Sequence, residues 1–327
     1  MKRLVCFLLI LGLVVGLFQT VLAEKAATEE TYAFLTALST LEYWKPHKQA
    51  MEDASKALGV KWELVGDQNY EVDTMTTIFD TIMSSGKYAG IVTSGQVIDG
   101  YKPIITKGLE QGIPTAIVTL DIPGGDQIVT ISTDYVNYGK VMGRMAAEAC
   151  GGKGKVILST FEESGIASVF AMRKGIEQVL AEEFPEMTIV AVVEDKADAT
   201  VGAQAVGAAL QANPDAAVVI GLQSDPSAIG ATTAIREAGL EGKVKVIAMD
   251  LSQTVLEMVK EGTVFASVAG KQYAEVYYAL LFLYHYNHNV VGLTKNDKEA
   301  GISAQPSHVD PGSIVVTAEN VDYFISK

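Results

Sequence analysis

LQANPDAAVVIGLQSDPSAIGATTAIREAG, residues 210–239, holds one complete unit of the pattern that builds this chain. Its centre, "AAVVIGL", is a short apolar, β-branched run, the signature of a strand buried on both faces. Gln223, Ser224 and Asp225 follow it, and then a helical run from about 226 to 238. Gly239 comes just past that run, where left-handed backbone suits glycine, and Asp225 stands where a helix N-cap belongs. A strand, a polar turn at its carboxyl end and a helix is the elementary unit of an α/β protein.

The same unit repeats in both directions. Downstream come "VKVIAMD", a helix near 252–260 behind Ser252, "VFASVAG" and a long helix near 272–289. Upstream lie "KVILSTF", a helix near 167–183, "MTIVAVVE", and a helix near 200–212 behind Asp198. The first half has its own series: "TYAFLTAL" before a helix from about 46 to 58, "KWELVG", "YAGIVTSG" and "PTAIVTLD", with Gly59, Gly86 and Gly112 closing helices. Continuous apolar strands alternating with helices predict parallel sheets covered on both faces, in two α/β lobes.

The 327 residues are 49% hydrophobic and 20% charged, enough for two cores. The first 23 read as a signal peptide: Lys2 and Arg3, an apolar run from Leu4 to Phe18, then Val21-Leu22-Ala23 as a cleavage site. The alternative, a retained anchor, meets a run shorter than the roughly 20 residues a span needs. Cleavage removes two of 25 basic residues, leaving 23 against 39 acidic ones, a net charge near −16. That surface repels phosphate backbones and anionic lipid, so nucleic acid is not an expected partner. Cys6 leaves with the signal, and Cys150 alone forms no intrachain disulfide.

The carboxyl edge of an open parallel sheet is where ligands bind. In the first half that edge presents Ser39, Tyr43 and Trp44, then Ser94 and Gln96, then Asp121; in the second it presents Phe161 and Glu162, Ser224 and Asp225, and Asp250. The adjacent aromatics are read as a wall of a site, against the alternative that one of them staples the core. Catalytic chemistry is hard to find. "GGKGK" at 151–155 precedes a strand instead of opening a helix, no Gly-x-Ser-x-Gly elbow occurs, and His285 and His288 have no further ligand to complete a metal set. The expectation is a binder, with no enzyme activity, metal or cofactor.

With those residues in view, the chain resembles the type I periplasmic solute-binding proteins of ABC-type importers, of the ribose-binding kind. The resemblance runs from about 31 to 325 and rests on "EYWKPHKQAMEDASKALG", "QGIPTAIVTLD", "ISTDYVNYGKVMG", "AMRKGIEQVL", the stretch at 210–239, "VIAMD" and "IVVTAENVD" in that order. It implies two doubly wound lobes joined by a three-crossover hinge, with crossovers near 133–135, 269–271 and 301–305. The lobes would be 28–133 plus 271–302, and 134–270 plus 303–327. It also implies hinge closure on a small molecule in the interlobe cleft and a membrane permease as partner.

Position by position, Tyr43 and Trp44 take the place of the family's aromatic pair, which stacks on a sugar ring. Asp121 and Asp250 take the places of aspartates that accept from ligand hydroxyls, and Ser94 and Ser224 stand where asparagines are frequent. The departures are Ile122 for an arginine after the first aspartate, Phe170 for an arginine in the second lobe, with Arg173 one turn on, and Gly270 for a glutamine, with Lys271 and Gln272 adjacent. The expected ligand is a small carbohydrate or polyol. The alternative is a cationic or amine-bearing molecule held by Asp121 and Asp250. A repressor sharing this core would need a basic DNA-binding segment where the apolar leader stands, and an exported enzyme would need a nucleophile that no motif supplies.

Overall fold

The computed structural model describes residues 29–325, apart from 41, 69, 70 and 96. The expected signal peptide, residues 1–23, lies outside them. In chain order the elements are β1 (Thr31–Leu35), α1 (Lys45–Leu58), β2 (Lys61–Val65), α2 (Val72–Ser84), β3 (Gly90–Ser94), α3 (Ile98–Glu110), β4 (Thr115–Val118), β5 (Val129–Ile131), α4 (Tyr135–Cys150), β6 (Gly154–Thr160) and α5 (Ala167–Glu183). They continue with β7 (Met187–Glu194), α6 (Ala199–Ala212), β8 (Ala216–Gly221), α7 (Ser224–Glu237), β9 (Lys245–Met249), α8 (Gln253–Glu261), β10 (Ala266–Gly270), α9 (Gln272–His288), β11 (His308–Val309) and β12 (Ser313–Thr317).

These elements form two compact units. The first comprises the chain up to Ile131 together with Gln272–Val309, and the second Ser132–Lys271 with Asp310–Lys327. The first sheet has the order β11-β5-β4-β3-β1-β2, and the second β12-β10-β9-β8-β6-β7. Every pairing in the first sheet is parallel. The second departs from an all-parallel expectation at its edge, where β12 runs antiparallel to β10. Edge strands of that kind are common on otherwise parallel sheets. The chain returns to the second unit after Val309, later than the 301–305 crossover the resemblance implies. His308 and Val309 pair with Thr130 and Ile131 and so keep the chain on the first sheet for one more strand.

Each sheet is covered on both faces, as its apolar strands require. In β1, alternate side chains go to opposite sides. Tyr32 and Phe34 pack with Met51 of α1 and Val276, Leu280 and Leu283 of α9. Ala33 and Leu35 pack with Met75 and Phe79 of α2 and Tyr101 and Ile105 of α3. In the second unit, Val156 and Leu158 of β6 face α4 and α5, while Ile157 faces α6, α7 and α8. Where α4 and α5 cross, a Cβ on Gly139 would lie 2.0 Å from the Met172 carbonyl oxygen, and one on Gly175 would lie 2.0 Å from that of Val136. Only hydrogen fits at either contact.

The helix termini follow local rules. Asp198 caps α6 by accepting from Thr200 N at 2.8 Å and Val201 N at 2.9 Å, and Ser252 caps α8 by accepting from Val255 N at 3.1 Å. Asp225 is not the cap expected of it. It lies inside the first turn of α7, and its side chain reaches across to Ser252 instead.

Candidate functional site

In both units the strand order reverses direction beside a central strand, between β1 and β3 in the first and between β6 and β8 in the second. Carboxyl ends at such switch points are where open α/β sheets hold ligands. The candidate residues are therefore described edge by edge, one unit at a time.

In the first unit β1 does not pass straight into α1. Leu38 takes a left-handed backbone (φ 50°), and Glu42–Trp44 make a single 3-10 turn before the helix. This turn parts the two aromatics. Trp44 swings inward, is 3% exposed, and donates its indole N–H to the Ala37 carbonyl at 3.0 Å. Its ring stands edge-on to Phe34 at 5.8 Å and to His47 at 4.8 Å. Trp44 is thus part of the core and not an open wall, which corrects the sequence expectation. An indole with both a large apolar face and one N–H to satisfy is best housed where a free carbonyl waits. Tyr43 packs edge-on to Trp44 at 4.8 Å and remains 40% exposed, so it is the aromatic this edge presents.

His47 lies beneath the pair. Its Nδ1 is 3.2 Å from the Tyr43 carbonyl, so Nδ1–H donates and Nε2 is left an acceptor with no hydrogen-bond partner among the described residues. Burial pushes its pKa down to about 4, against a smaller opposite pull from the Tyr43 carbonyl. The imidazole is a neutral ring of the core at neutral pH.

Ser39 is fixed by its backbone, its N–H donating to Asp67 O at 3.1 Å and its carbonyl accepting from Lys48 Nζ at 3.4 Å. Ser94 ends β3 buried, and its Oγ has no hydrogen-bond partner among the described residues. Gly95 then donates to Leu120 O at 2.9 Å, and a Cβ there would come within 2.2 Å of the same oxygen. This close approach, open only to glycine, draws the end of β3 against the residue before Asp121. Gln96 lies outside the described residues. Asp121 Oδ1 accepts from Thr130 Oγ1 at 2.6 Å and Gln127 Nε2 at 3.5 Å, while Oδ2 takes no hydrogen bond among the described residues. Two residues earlier, Thr119 holds a left-handed backbone (φ 65°), unusual for a β-branched residue, and donates its hydroxyl to the buried Glu275 at 3.1 Å. Gln272 opens α9 in this unit.

In the second unit Phe170 is 46% exposed on α5. Arg173, considered as a replacement for a site arginine, is engaged elsewhere: Nη1 is 2.9 Å from both oxygens of Glu162, and Nε is 2.7 Å from Glu177. Lys271, the last residue before the chain leaves this unit, has no ion pair among the described residues. Ser224 and Asp250 do come together. The Ser224 hydroxyl donates to Asp225 Oδ1 at 3.4 Å, and it also pulls the pKa of the Asp250 carboxyl down. Asp250 has a left-handed backbone (φ 69°), pinned by its N–H to Val268 O at 2.8 Å and by Ser267 Oγ to its carbonyl at 2.7 Å. Burial raises its carboxyl pKa to about 6; the Ser224 hydrogen bond opposes this, and the charge of Asp225 adds to it.

Some partners at this edge carry no sequence signal. Tyr138, from α4, is buried and donates its hydroxyl to Val268 O. Asp195, wholly buried after β7, accepts from Ser159 Oγ and Ala197 N at 2.9 Å each and from Ser227 Oγ. They become visible only when strands far apart in sequence are laid side by side. A cavity of about 350 Å³ also opens in this unit, lined in part by Ile229, Arg236, Lys245, Met258 and Phe265. Lys245 begins β9, so this hollow lies at the amino edge of the sheet, away from Asp250.

Each of the two switch-point sheets thus brings acceptor side chains to its carboxyl edge. The family model described as periplasmic binding protein domain matches residues 32–288. The chain belongs to this family. Its members are the solute-binding proteins of ABC transporters and are not enzymes. This binding protein is 25% identical over 287 residues to the ABC transporter periplasmic-binding protein YphF of Escherichia coli, covering 82% of this chain and 84% of that one. It is 28% identical over 218 residues to the xylitol-binding protein of Mycolicibacterium smegmatis, covering 66% and 60% of the two chains. Among solved structures, AraP, an arabinose-binding protein from Geobacillus stearothermophilus, superposes with a TM-score of 0.81 at 27% identity, over 91% of this chain and all of that one.

Proposed function

We propose that this binding protein captures a small carbohydrate or polyol between its two units by hinge closure and delivers it to the permease of an ABC importer. The observation that carries the reading is a matched pair of strand-end carboxylates. Asp121 in the first unit has an oxygen that takes no hydrogen bond among the described residues, and Asp250 in the second is approached by the hydroxyl of Ser224, which donates to Asp225. Carboxylates in that condition suit ligand hydroxyls, because charge-assisted hydrogen bonds to them are the strong ones. The exposed face of Tyr43 supplies the flat apolar surface that the C–H face of a sugar ring prefers. The relatives are named for compounds of this kind: xylitol, D-allose and arabinose. The relatives named above are not named for a cation, and the cationic alternative has no support.

On this reading the residues in contact with ligand are Ser39, Tyr43, Ser94, Gln96 and Asp121 from one unit and Phe170, Ser224, Asp250 and Lys271 from the other, with Gln272 at the crossover. Residues 1–23 are removed on export, and the mature protein works in the periplasm. Closure follows from differential contact, since both sets of groups reach the ligand only in the shut form, and ligand stabilises that form by the difference.

The test is a thermal-shift and calorimetric screen of residues 24–327 against pentoses, hexoses, deoxy sugars, polyols and small organic cations. Ligand at 100 times its dissociation constant should stabilise the protein by about 2.7 kcal/mol, a rise of several degrees. A response confined to cations, or none to any sugar or polyol, would sink the reading.

A further inference from the structure

The second unit buries an acid at the end of β7. Asp195 is wholly buried and has no ion pair among the described residues; its neighbour Lys196 is turned away to Glu163 at 3.1 Å. Lys196 and Ala197 both hold left-handed backbone, φ 54° and 53°, which side chains of their kind seldom adopt. The double turn swings the Ala197 N–H back onto Asp195 Oδ1 at 2.9 Å. Oδ2 takes two hydroxyls, from Ser159 of β6 at 2.9 Å and from Ser227 of α7. Because β6 lies between β7 and β8, this one carboxylate ties the end of its own strand to β6 and to the helix that follows β8.

Ser227 carries that tie to the carboxyl edge. Its Oγ accepts from the Gln223 N–H at 3.0 Å and gives its own proton to Asp195. A hydroxyl has one proton, so the acid behind Ser227 decides its direction and leaves its lone pairs to Gln223. Gln223 stands at the start of α7 and makes no side-chain cap of its own. Ser227 therefore does from within the helix what the reaching side chain of a capping box does, and holds the N–H at the entry of the turn. Gly221 makes the room, since a Cβ there would lie 2.6 Å from that of Ser227. The residue after Gln223 is Ser224. We propose that Asp195 is the positioning residue of this edge: acting through Ser227, it fixes the turn after β8 so that Ser224 is presented to ligand in one place. The ligand part rests on the sugar-binding reading; the turn part does not.

The experiment has two arms, both on residues 24–327. In the first, amide hydrogen exchange is followed by NMR in ligand-free protein, with Ile220 inside β8 as the reference for wider opening. Ser227→Ala should speed exchange at Gln223 by about tenfold or more relative to Ile220. Ser159→Ala removes a hydroxyl from the same carboxylate oxygen but leaves Ser227 in place, and should change Gln223 by less than about threefold. Asp195→Ala should speed Gln223 as Ser227→Ala does. If the acid acts through the serine, the double variant should exceed Ser227→Ala alone by less than about threefold. Equal effects of the two serines on Gln223, or effects of Asp195→Ala and Ser227→Ala that multiply, overturn the proposal whether or not any sugar binds. Should Asp195→Ala fail to fold, the contrast between the serines decides.

In the second arm the tightest sugar or polyol from the screen is titrated calorimetrically into the same variants. Ser227→Ala and Ser159→Ala each remove one buried hydroxyl and should lower the urea midpoint alike. Their affinities should part: Ser227→Ala should bind about tenfold more weakly than wild type, because the turn must be ordered at the moment of binding, and Ser159→Ala within about threefold. Affinities that follow the urea midpoints, with the two serines equal, would make Asp195 a prop of the fold and overturn its positioning role. Failure of every sugar and polyol to bind sinks the functional reading alone, and exchange at Gln223 still decides whether Asp195 fixes the turn.

Discussion

At the carboxyl edge of the first unit His47 is a desolvated base, and at that of the second Asp250 is a desolvated acid. Burial works against the charged form of each, so their pKa values move in opposite directions. His47 titrates near 6.5 when unfolded and about 4 when folded. Between those values the folded chain holds fewer protons, so the His47 contribution is complete above 6.5 and is lost as pH falls toward 4. Asp250 titrates near 3.8 unfolded and about 6 folded. Here the folded chain holds more protons, so stability is greatest below 3.8 and is lost as pH rises to 6. One acid step thus weakens the first unit and strengthens the second. The edges share an architecture, and the side chain at the strand end decides how each responds to pH.

The chain supplies separate probes for this contrast. Both its tryptophans, Trp44 and Trp62, belong to the first unit, and Cys150 belongs to the second. The largest effect is expected at Trp44. Trp44→Ala empties a core position and strands the Ala37 carbonyl, and should cost the first unit about 3–5 kcal/mol in urea unfolding. A loss under 1 kcal/mol would return the indole to the ligand wall. Next is the acid response: followed by tryptophan fluorescence, the first unit should lose about 3 kcal/mol between pH 6.5 and 4, and His47→Phe should flatten that slope. An unchanged slope in the variant would assign the acid sensitivity to other groups. Third, Asp250→Asn should stabilise the second unit by about 2–3 kcal/mol at pH 7 and by nothing at pH 4, read by thiol labelling of Cys150. Equal effects at both values would mean packing and not charge. The smallest stability change belongs to Tyr43→Ala, under about 1 kcal/mol, although it should weaken sugar binding about three- to tenfold. Full affinity in that variant would leave the first edge without its stacking surface.

The strand–helix alternation was legible because strands buried on both faces must be apolar throughout, and helices between them keep an amphipathic period. Gly59, Gly112 and Gly262 marked helix ends for the same local reason, and each has a left-handed backbone. Which of two adjacent aromatics turns inward was not legible. It depends on the 3-10 turn that rotates Trp44 toward Phe34 and the Ala37 carbonyl, a contact decided in three dimensions. Arg173 offered a plausible slip in register until Glu162, eleven residues back, was seen to hold it. Asp225 looked like a cap because sequence shows position along the chain but not the approach of Ser252 from another helix. The left-handed backbones at Thr119 and Asp250 have no signature either, since neither residue type announces them.

The discontinuity of the first unit has a consequence in time. Tyr32, Phe34 and Met51 are made early, but the helix that covers them, with Val276, Leu280 and Leu283, is made only after the whole contiguous part of the second unit. A growing chain therefore carries a bare apolar sheet face while ribosomes add more than a hundred further residues. The middle of the chain is by then able to assemble five of its six strands. The half that is begun first must wait through most of the other half for its own cover, and for that interval it is the part of the molecule most in need of a chaperone or an open export channel.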